Sequence, residues 1–181
     1  MFQSHLTFAH QFWEKILNPG DWAIDATCGR GRDTLKLAAC VGPSGGVIAL
    51  DIQKEAIEAT RAAIEGHSQV HLFHASHEAY PLLCHENPIK LIVYNLGYLP
   101  GGDKNLTTHV ETTLLSIERG LELLVEGGAM CITCYPGHPE GALELKALLD
   151  MPLDTSRFQV THYAKQERPL APSVLIILKK C

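Results

Sequence analysis

Residues 25–34 limit what this chain can fold into more than any other stretch. The apolar run before them, at 22–24, is typical of a buried strand, and residues 35–40 after them are typical of a helix. Between the two, Gly29 and Gly31 suit a tight turn in which the backbone approaches a ligand closely. Such a turn predicts a doubly wound α/β sheet with a ligand at the carboxyl end of its first strand.

This turn favours a cofactor that carries no phosphate. Its Gly-x-Gly lacks the third glycine of a dinucleotide fingerprint, because Thr34 stands at that position. Asp33 would repel a pyrophosphate at the helix N-terminus, and we interpret it as a cap of the first helical amides. S-adenosylmethionine carries an ammonium and a sulfonium instead, and Asp25 is the candidate to receive the ammonium. A turn without a ligand and an NAD enzyme are the alternatives.

The composition predicts a single globular domain over residues 1–181. Hydrophobic residues make up 46% of the chain and charged residues 19%, which allows a substantial core. No apolar run is long enough to span a membrane, and the first residues lack the pattern of a secretory signal. We therefore expect a cytoplasmic protein that does not use a membrane as a partner.

The six cysteines are scattered, which fits reduced thiols in that compartment. Cys131 and Cys134 match Cys-x-x-Cys, but they fall in a β-rich run where their side chains would point to opposite faces. No second cysteine pair completes a zinc site, and His71, His74 and His77 cluster without a matching ligand set. We expect structural thiols and no metal.

The net charge of −5 provides no general attraction to nucleic acid. A local basic patch would still be enough to hold a short RNA segment. The candidates for such a patch are Arg30, Arg32, Lys36, Lys104, Lys165 and Arg168.

Apolar runs alternate with amphipathic stretches along the chain and predict five β-α pairs followed by a β-β hairpin. The predicted strands are 22–26, 47–50, 69–73, 89–94, 128–135, 158–163 and 174–178. The predicted helices are 5–17, 31–41, 53–65, 77–84, 107–125 and 140–149. The pattern predicts a doubly wound, mostly parallel sheet of seven strands with a C-terminal antiparallel hairpin. This is the arrangement of the Rossmann-like class I methyltransferases.

Polar residues follow the second and third predicted strands, at the edge where ligands bind in this topology. Asp51 is the candidate to accept hydrogen bonds from the ribose hydroxyls of an adenosine, and the alternative is a cap for the next helix. Ser76 and His77 are candidates to flank the adenine ring. The alternative for Ser76 is the N-cap of the helix predicted at 77–84.

The stretch after the fourth strand resembles the Asn-Pro-Pro-Tyr signature of amino-group methyltransferases, with Leu96 and Gly97 in place of the prolines. The resemblance implies that the Asn95 side chain and the Leu96 carbonyl accept hydrogen bonds from the target amine. It also implies that Tyr98 packs on the target base. Fixing the N–H groups of the amine aims its lone pair at the methyl carbon, and positioning of this kind is a major source of catalysis.

Several stretches together resemble the bacterial rRNA methylase family over residues 6–179. These stretches are 20–21, 25–29 with Gly31, 33–34, 51–53, 95–104 and 135–141. Members of that family are understood to be tRNA methyltransferases that use S-adenosyl-L-methionine. They convert 5-aminomethyl-(2-thio)uridine at the wobble position to its 5-methylaminomethyl form. The resemblance therefore implies an RNA N-methyltransferase whose partner is the tRNA anticodon loop.

The resemblance and the turn chemistry together give a predicted cofactor site. Its members are Asp25, Thr27, Gly29, Gly31, Asp33, Thr34, Asp51, Ile52, Gln53, Ser76, His77, Asn95 and Leu96. The predicted catalytic residues are Asn95, Tyr98, Asp103 and His138, of which Asp103 and His138 would help to remove the amine proton. The alternatives for these two are a turn-forming aspartate and a surface-loop histidine.

Contacts to the phosphates of the anticodon loop are predicted for Lys104, Lys165 and Arg168, or these are ordinary solvated side chains. The chain departs from the family at Arg30 and Arg32, where asparagines are usual. Methylation of ribosomal RNA or of a small amine, and a nucleotide-binding module without catalysis, are the alternative functions. An exposed apolar face on the N-terminal helix would favour a homodimer.

Overall fold

Seven strands form one sheet in the order β3-β2-β1-β4-β5-β7-β6 in the computed structural model, which describes residues 4–99, 101–102, 106–164, 168 and 170–181. The strands are β1 (Trp22–Asp25), β2 (Gly46–Asp51), β3 (Val70–His74), β4 (Ile89–Asn95), β5 (Leu124–Cys134), β6 (Phe158–Tyr163) and β7 (Ser173–Lys179). The five N-terminal strands pair in parallel, and β7 pairs antiparallel with both β5 and β6. The predicted fold class is confirmed.

Six described helices cover the two faces of the sheet. They are α1 (His5–Ile16), α2 (Arg32–Val41), α3 (Lys54–Ala63), α4 (Leu82–Glu86), α5 (Val110–Leu123) and α6 (Pro139–Asp150). Trp13 of α1 and Leu37 of α2 pack on one face, whereas Ile117 of α5 and Leu148 of α6 pack on the other. The central strands are therefore apolar on both sides, as expected of a buried parallel sheet. None of the described helices is long and apolar enough to cross a membrane.

The functional edge of the sheet is set by the register of β1 with its two neighbours. Asp25, the last residue of β1, pairs with Ala49 of β2 and with Val93 of β4. The strand order reverses between β1 and β4, so this edge is the switch point where ligands bind in doubly wound sheets. The ends of β1, β2 and β4 bring the predicted turn, Asp51 and Asn95 to one place.

Two of the predicted helices begin later than the sequence indicates. The helix predicted at 77–84 is wrong, because α4 begins after Pro81, and residues 76–79 form a turn closed by a 2.9 Å bond from Ala79 N to the Ser76 carbonyl. Ser76 is therefore not an N-cap. In the same way α5 begins at Val110, since Thr107 instead forms an isolated β-bridge with Tyr98.

The predicted opposite orientation of Cys131 and Cys134 is confirmed, since the two side chains belong to core clusters on opposite faces of the sheet. All six cysteines are free thiols. Among the described residues, no group of three histidines, cysteines or carboxylates is placed to hold a metal ion.

Candidate active site

A cavity of about 1050 Å³ opens at the carboxyl ends of β1, β2 and β4. Its volume is at the upper end of the range for small-molecule sites, so a cofactor and part of a second molecule fit together. The predicted site residues on its wall are Thr27, Gly29, Asp33, Asp51, Ile52, Gln53, Ser76, His77, Asn95, Leu96, Tyr98 and His138. Asp103 lies outside the described residues.

Asp25 is not among the described residues that line this cavity, which does not support its predicted contact with the cofactor ammonium. The side chain is fully buried, and it accepts hydrogen bonds from Thr34 Oγ1 at 2.6 Å and from Thr27 N at 3.3 Å. Burial, with a contribution from the negative charge of Asp33, raises the pKa of Asp25 to about 7. The buried hydrogen bond between Asp25 and Thr34 therefore stabilises the turn on its core side.

Gly31 is also absent from the described cavity wall, so its predicted contact with the cofactor is replaced by a role in packing. Its φ of +76° is a conformation that favours glycine, and it is the N-cap residue of α2. A Cβ at this position would lie 3.1 Å from Thr60 Cα, so the missing side chain allows α3 to pack against the turn.

Asp51 closes the same turn from the neighbouring strand. Its carboxylate accepts from Gly29 N at 3.0 Å and from Gln53 N at 2.9 Å. Burial raises the pKa of Asp51, and these two backbone donors oppose that shift. The N-cap residue of α3 is Gln53, so Asp51 lies just outside the helix with its carboxylate at the cavity wall. Its predicted contact with a ribose remains a prediction.

Asp33 does not cap α2, which corrects the prediction from the sequence. The N-cap residue of α2 is Gly31, which has no side chain to cap the helix. The carboxylate instead accepts from His10 Nε2 and from Asn95 Nδ2, both at 2.8 Å, and it lines the cavity. His10 lies on α1, and its contact with Asp33 is one that local sequence pattern does not reveal.

The acceptor loop, residues 95–98, is held by hydrogen bonds from three directions. Asn95 N donates to Thr27 Oγ1 at 2.7 Å, and Gly97 N donates to Thr108 Oγ1 at 2.8 Å. Leu96 N donates to a carbonyl of β5 at 2.9 Å. Gly97 has a φ of +122°, which favours glycine and explains why a residue other than proline occupies this position.

A buried carboxylate supports the acceptor loop, and no sequence pattern indicates it. Glu144 of α6 is almost fully buried and accepts from Thr108 Oγ1 at 2.8 Å and from Thr113 Oγ1 at 2.7 Å. Burial raises its pKa, and the two threonine hydroxyls oppose the shift. Thr108 therefore links Glu144 to the backbone of Gly97.

His138 is the N-cap of α6, so it is not a free surface-loop histidine. Its Nδ1 accepts a hydrogen bond from Gly141 N at 3.1 Å, which places the ring hydrogen on Nε2. Removal of a proton by Nδ1 would require this cap to open, and the predicted role of His138 in removing the amine proton stays a prediction. Its ring centroid lies 5.7 Å from that of Tyr98, and this contact gives the tyrosine a packing partner.

Among the residues that the structure describes, several buried polar atoms without a hydrogen-bond partner lie at this cavity. The atoms are His77 Nε2, Thr107 Oγ1 and His138 Nε2, and all three residues belong to the wall. Burial lowers the pKa of His77, which favours its neutral form. Unsatisfied groups of this kind indicate a ligand or solvent that completes the site. Two carboxylates on the wall, Asp33 and Asp51, suit a ligand with cationic and hydroxyl groups.

Comparison with known proteins identifies the family. The model of the family described as "Putative rRNA methylase" matches residues 47–179. The tRNA (mnm(5)s(2)U34)-methyltransferase, chloroplastic, of Arabidopsis thaliana is 36% identical, over 95% of this chain and 68% of that protein.

Solved structures agree over nearly the whole chain. A "putative rRNA-methylase" from Clostridium thermocellum is 31% identical with a TM-score of 0.93, and a "putative methyltransferase" from Streptococcus mutans, crystallised in complex with SAH, is 30% identical with a TM-score of 0.85. In both pairs the alignment covers 99% of each chain. The resemblance stated from the sequence is confirmed: this chain belongs to the rRNA methylase family of methyltransferases.

Proposed function

We propose that this protein transfers the methyl group of S-adenosylmethionine to the primary amine of 5-aminomethyl-(2-thio)uridine at the wobble position of tRNA. The observation that carries the proposal is the 36% identity, over 95% of the chain, to a tRNA (mnm(5)s(2)U34)-methyltransferase. Methyltransferase activity follows from the family, and the SAH complex of the Streptococcus mutans relative supports the cofactor.

The cavity wall fits this cofactor. Asp51 would accept hydrogen bonds from the ribose hydroxyls, and the segment Ser76–His77 would flank the adenine. Asp33 provides a carboxylate for the cationic end, in place of the buried Asp25. The cofactor supplies a methyl group that is activated by a positively charged sulfur.

The acceptor loop would orient the target amine. The Asn95 side-chain oxygen and the Leu96 carbonyl accept from the N–H groups of the amine, so its lone pair is directed at the methyl group. Tyr98, whose ring leans on His138, would pack on the uracil ring. Asp103 and His138 are the proposed acceptors of the amine proton, and His138 would first have to release its hydrogen bond with Gly141 N.

The mouth of the cavity suits an unstacked nucleotide. Several large apolar side chains on the wall are exposed: Leu6, Ile52, Tyr98, Leu106 and Leu170. Arg30 and Arg32 belong to the same wall and would face the phosphates. Arg168 is a further candidate for a phosphate contact, whereas Lys104 and Lys165 lie outside the described residues.

The homodimer has less support than the tRNA partner. It was predicted on condition that α1 exposes an apolar face, but Ala9 and Trp13 of this helix are buried against the sheet. The exposed Leu6 belongs to the cavity wall instead.

Ribosomal RNA is the second candidate substrate, favoured by the description of the family. Incubating the purified protein with labelled S-adenosylmethionine and either tRNA or rRNA from a strain that lacks the gene distinguishes the two. We expect label in tRNA, at 5-methylaminomethyl-(2-thio)uridine after nuclease digestion, and none with the Asn95→Ala variant. Label in rRNA alone would contradict the proposal.

A further inference from the structure

We propose that His10 is a positioning residue that acts through Asp33 to hold the Asn95 amide with its carbonyl oxygen toward the substrate amine. The inference rests on the proposed function, because it assigns a role to Asn95 in binding an amine. His10 and Asp33 both precede residue 47, where the match to the family model begins, so that match does not reach either residue.

Hydrogen bonding decides which way the Asn95 amide faces. A carboxylate can only accept, so the contact of 2.8 Å between Asn95 and Asp33 Oδ2 must involve the amide nitrogen. The carbonyl oxygen of the same amide is then on the opposite side. An amide rotated by half a turn would present an N–H group to the amine, and two donors would face each other.

The rest of Asn95 is already fixed, which leaves Asp33 to set the side chain. Its backbone N–H donates to Thr27 Oγ1 at 2.7 Å, and it is the last residue of β4. The remaining freedom is rotation of the side chain, and the bond to Asp33 removes it. Accurate positioning of groups around a reacting centre accounts for large rate factors, so this constraint has a catalytic consequence.

His10 in turn fixes Asp33. Its Nε2 donates to Asp33 Oδ1 at 2.8 Å, so the two carboxylate oxygens are engaged by two donors and the carboxylate cannot rotate. The His10 ring lies 4.7 Å from that of Trp13, which is almost fully buried. Packing of α1 against the sheet therefore determines where the His10 nitrogen lies. Through Asp33, the position of this nitrogen fixes the orientation of Asn95 in the acceptor loop.

The Asp33 carboxylate also affects how well the Asn95 carbonyl accepts a hydrogen bond. Its side chain is only 17% exposed, and its hydrogen-bonding partners are one histidine and one neutral amide. A carboxylate in such surroundings strengthens the bonds that it accepts. It also polarises the Asn95 amide, which makes the carbonyl oxygen a better acceptor for the amine.

The test compares His10→Ala, which removes the donor, with His10→Gln, which offers an amide N–H of similar reach. Gln11→Ala is the matched control, because Gln11 is exposed on the same helix. At saturating S-adenosylmethionine, we expect His10→Ala to lower kcat for tRNA methylation by about 10-fold, because the Asn95 amide loses its fixed orientation while the charge of Asp33 is kept. His10→Gln should recover most of the loss, and Gln11→Ala should behave as the unmodified protein.

Combining His10→Ala with Asp33→Asn shows whether the two residues act through one chain of contacts or affect kcat independently. Asp33→Asn offers only one acceptor oxygen to two donors, so it should be more damaging than His10→Ala. If His10 acts only through Asp33, the double variant will be no worse than Asp33→Asn alone. If the reduction in kcat of the double variant equals the product of the two single reductions, the proposal is overturned.

A readout that needs no substrate keeps this inference separate from the proposed function. In isotope-labelled protein, the side-chain amide resonances of Asn95 are identified by their absence in Asn95→Asp. We expect these protons to exchange slowly with water in the unmodified protein and in His10→Gln, and faster in His10→Ala. If the Asn95 amide protons exchange at an unchanged rate in His10→Ala and Asp33→Asn, the proposal is overturned even if tRNA is methylated. If the exchange rates change as expected but tRNA is not methylated, only the proposed substrate is overturned.

Discussion

Asp25 and Asp33 lie in the same turn, but their carboxylates have different surroundings. Asp25 is fully buried against Thr34, and Asp33 lies at the cavity wall between His10 and Asn95. Burial raises the pKa of Asp25 to about 7, so its ionised form is disfavoured in the folded protein. The structural carboxylate is therefore the one that should influence the pH dependence of stability.

We expect the contribution of Asp25 to the free energy of unfolding to fall as the pH rises. Its pKa is raised in the folded protein, so between about pH 4 and about pH 7 the folded state binds more protons than the unfolded state. Because one pKa unit corresponds to about 1.4 kcal/mol, the contribution of Asp25 to the free energy of unfolding falls by a few kcal/mol over that range. Urea unfolding of Asp25→Asn and the unmodified protein at several pH values measures it.

The informative quantity is the difference in the free energy of unfolding between Asp25→Asn and the unmodified protein. Asp25→Asn should become more stable, relative to the unmodified protein, as the pH is raised. Asp150→Asn is the control, because Asp150 is exposed on α6 and pairs with Lys146 at the surface. A constant difference between Asp25→Asn and the unmodified protein across the range would contradict the assignment.

Single residues were the least predictable level of this protein. The sequence correctly brings Asp33, Asp51 and Asn95 to one edge, since each follows or precedes a recognisable element. It does not reveal that Asp25 turns inward, because the contact with Thr34 depends on how the turn closes. Nor does it reveal His10 or Glu144, whose partners lie 23 and 31 or more residues away in sequence.

At the scale of elements, α5 and α6 support the acceptor loop through a shared buried carboxylate. Glu144 binds both Thr108 and Thr113, but only Thr108 also accepts a hydrogen bond from the loop, at Gly97 N. The two threonines are therefore a matched pair. One connects the loop to the helices, and the other connects the helices to each other.

We expect Thr108→Val to lower kcat by about 10-fold, because Gly97 N loses its acceptor and the loop loses its fixed position. Thr113→Val should leave kcat close to that of the unmodified protein. Each variant should lose about 1–3 kcal/mol of stability because it leaves Glu144 with one donor fewer, and Thr108→Val should lose more because Gly97 N is also left without its acceptor. Steady-state kinetics and urea unfolding measure the two effects, and equal kcat values for the two variants would contradict the role given to Thr108.

Elements were more predictable than residues, for a physical reason. The apolar runs of the buried strands stand out in the sequence, and the absence of a helix between the last two strands predicts their antiparallel pairing. Pro81 and the bridge at Thr107 shift the start of two helices, because a proline or a tertiary hydrogen bond overrides local helical preference. The insertion of β7 between β5 and β6 is expected from the fold class and not from any local pattern.

At the scale of the whole molecule, the net charge of −5 means that the proposed binding of RNA would depend on a local surface. The cavity mouth combines exposed apolar side chains with Arg30 and Arg32, both of which line the wall. We expect Arg30→Asn and Arg32→Asn each to reduce the slope of log K against log salt for tRNA binding by roughly 1. Arg157→Asn is the control, since Arg157 pairs with Glu122 and is not part of the wall. Slopes that match the control would show that these arginines do not contact phosphate.

The nucleoside profile of tRNA from a strain that lacks this gene tests whether the methyl group is transferred to the amine of a wobble uridine. Mass spectrometry should show 5-aminomethyl-2-thiouridine accumulating in place of its methylated form. Restoring the gene should reverse the change, and restoring the Asn95→Ala variant should not. An unchanged wobble-nucleoside profile in the strain without the gene would contradict the account.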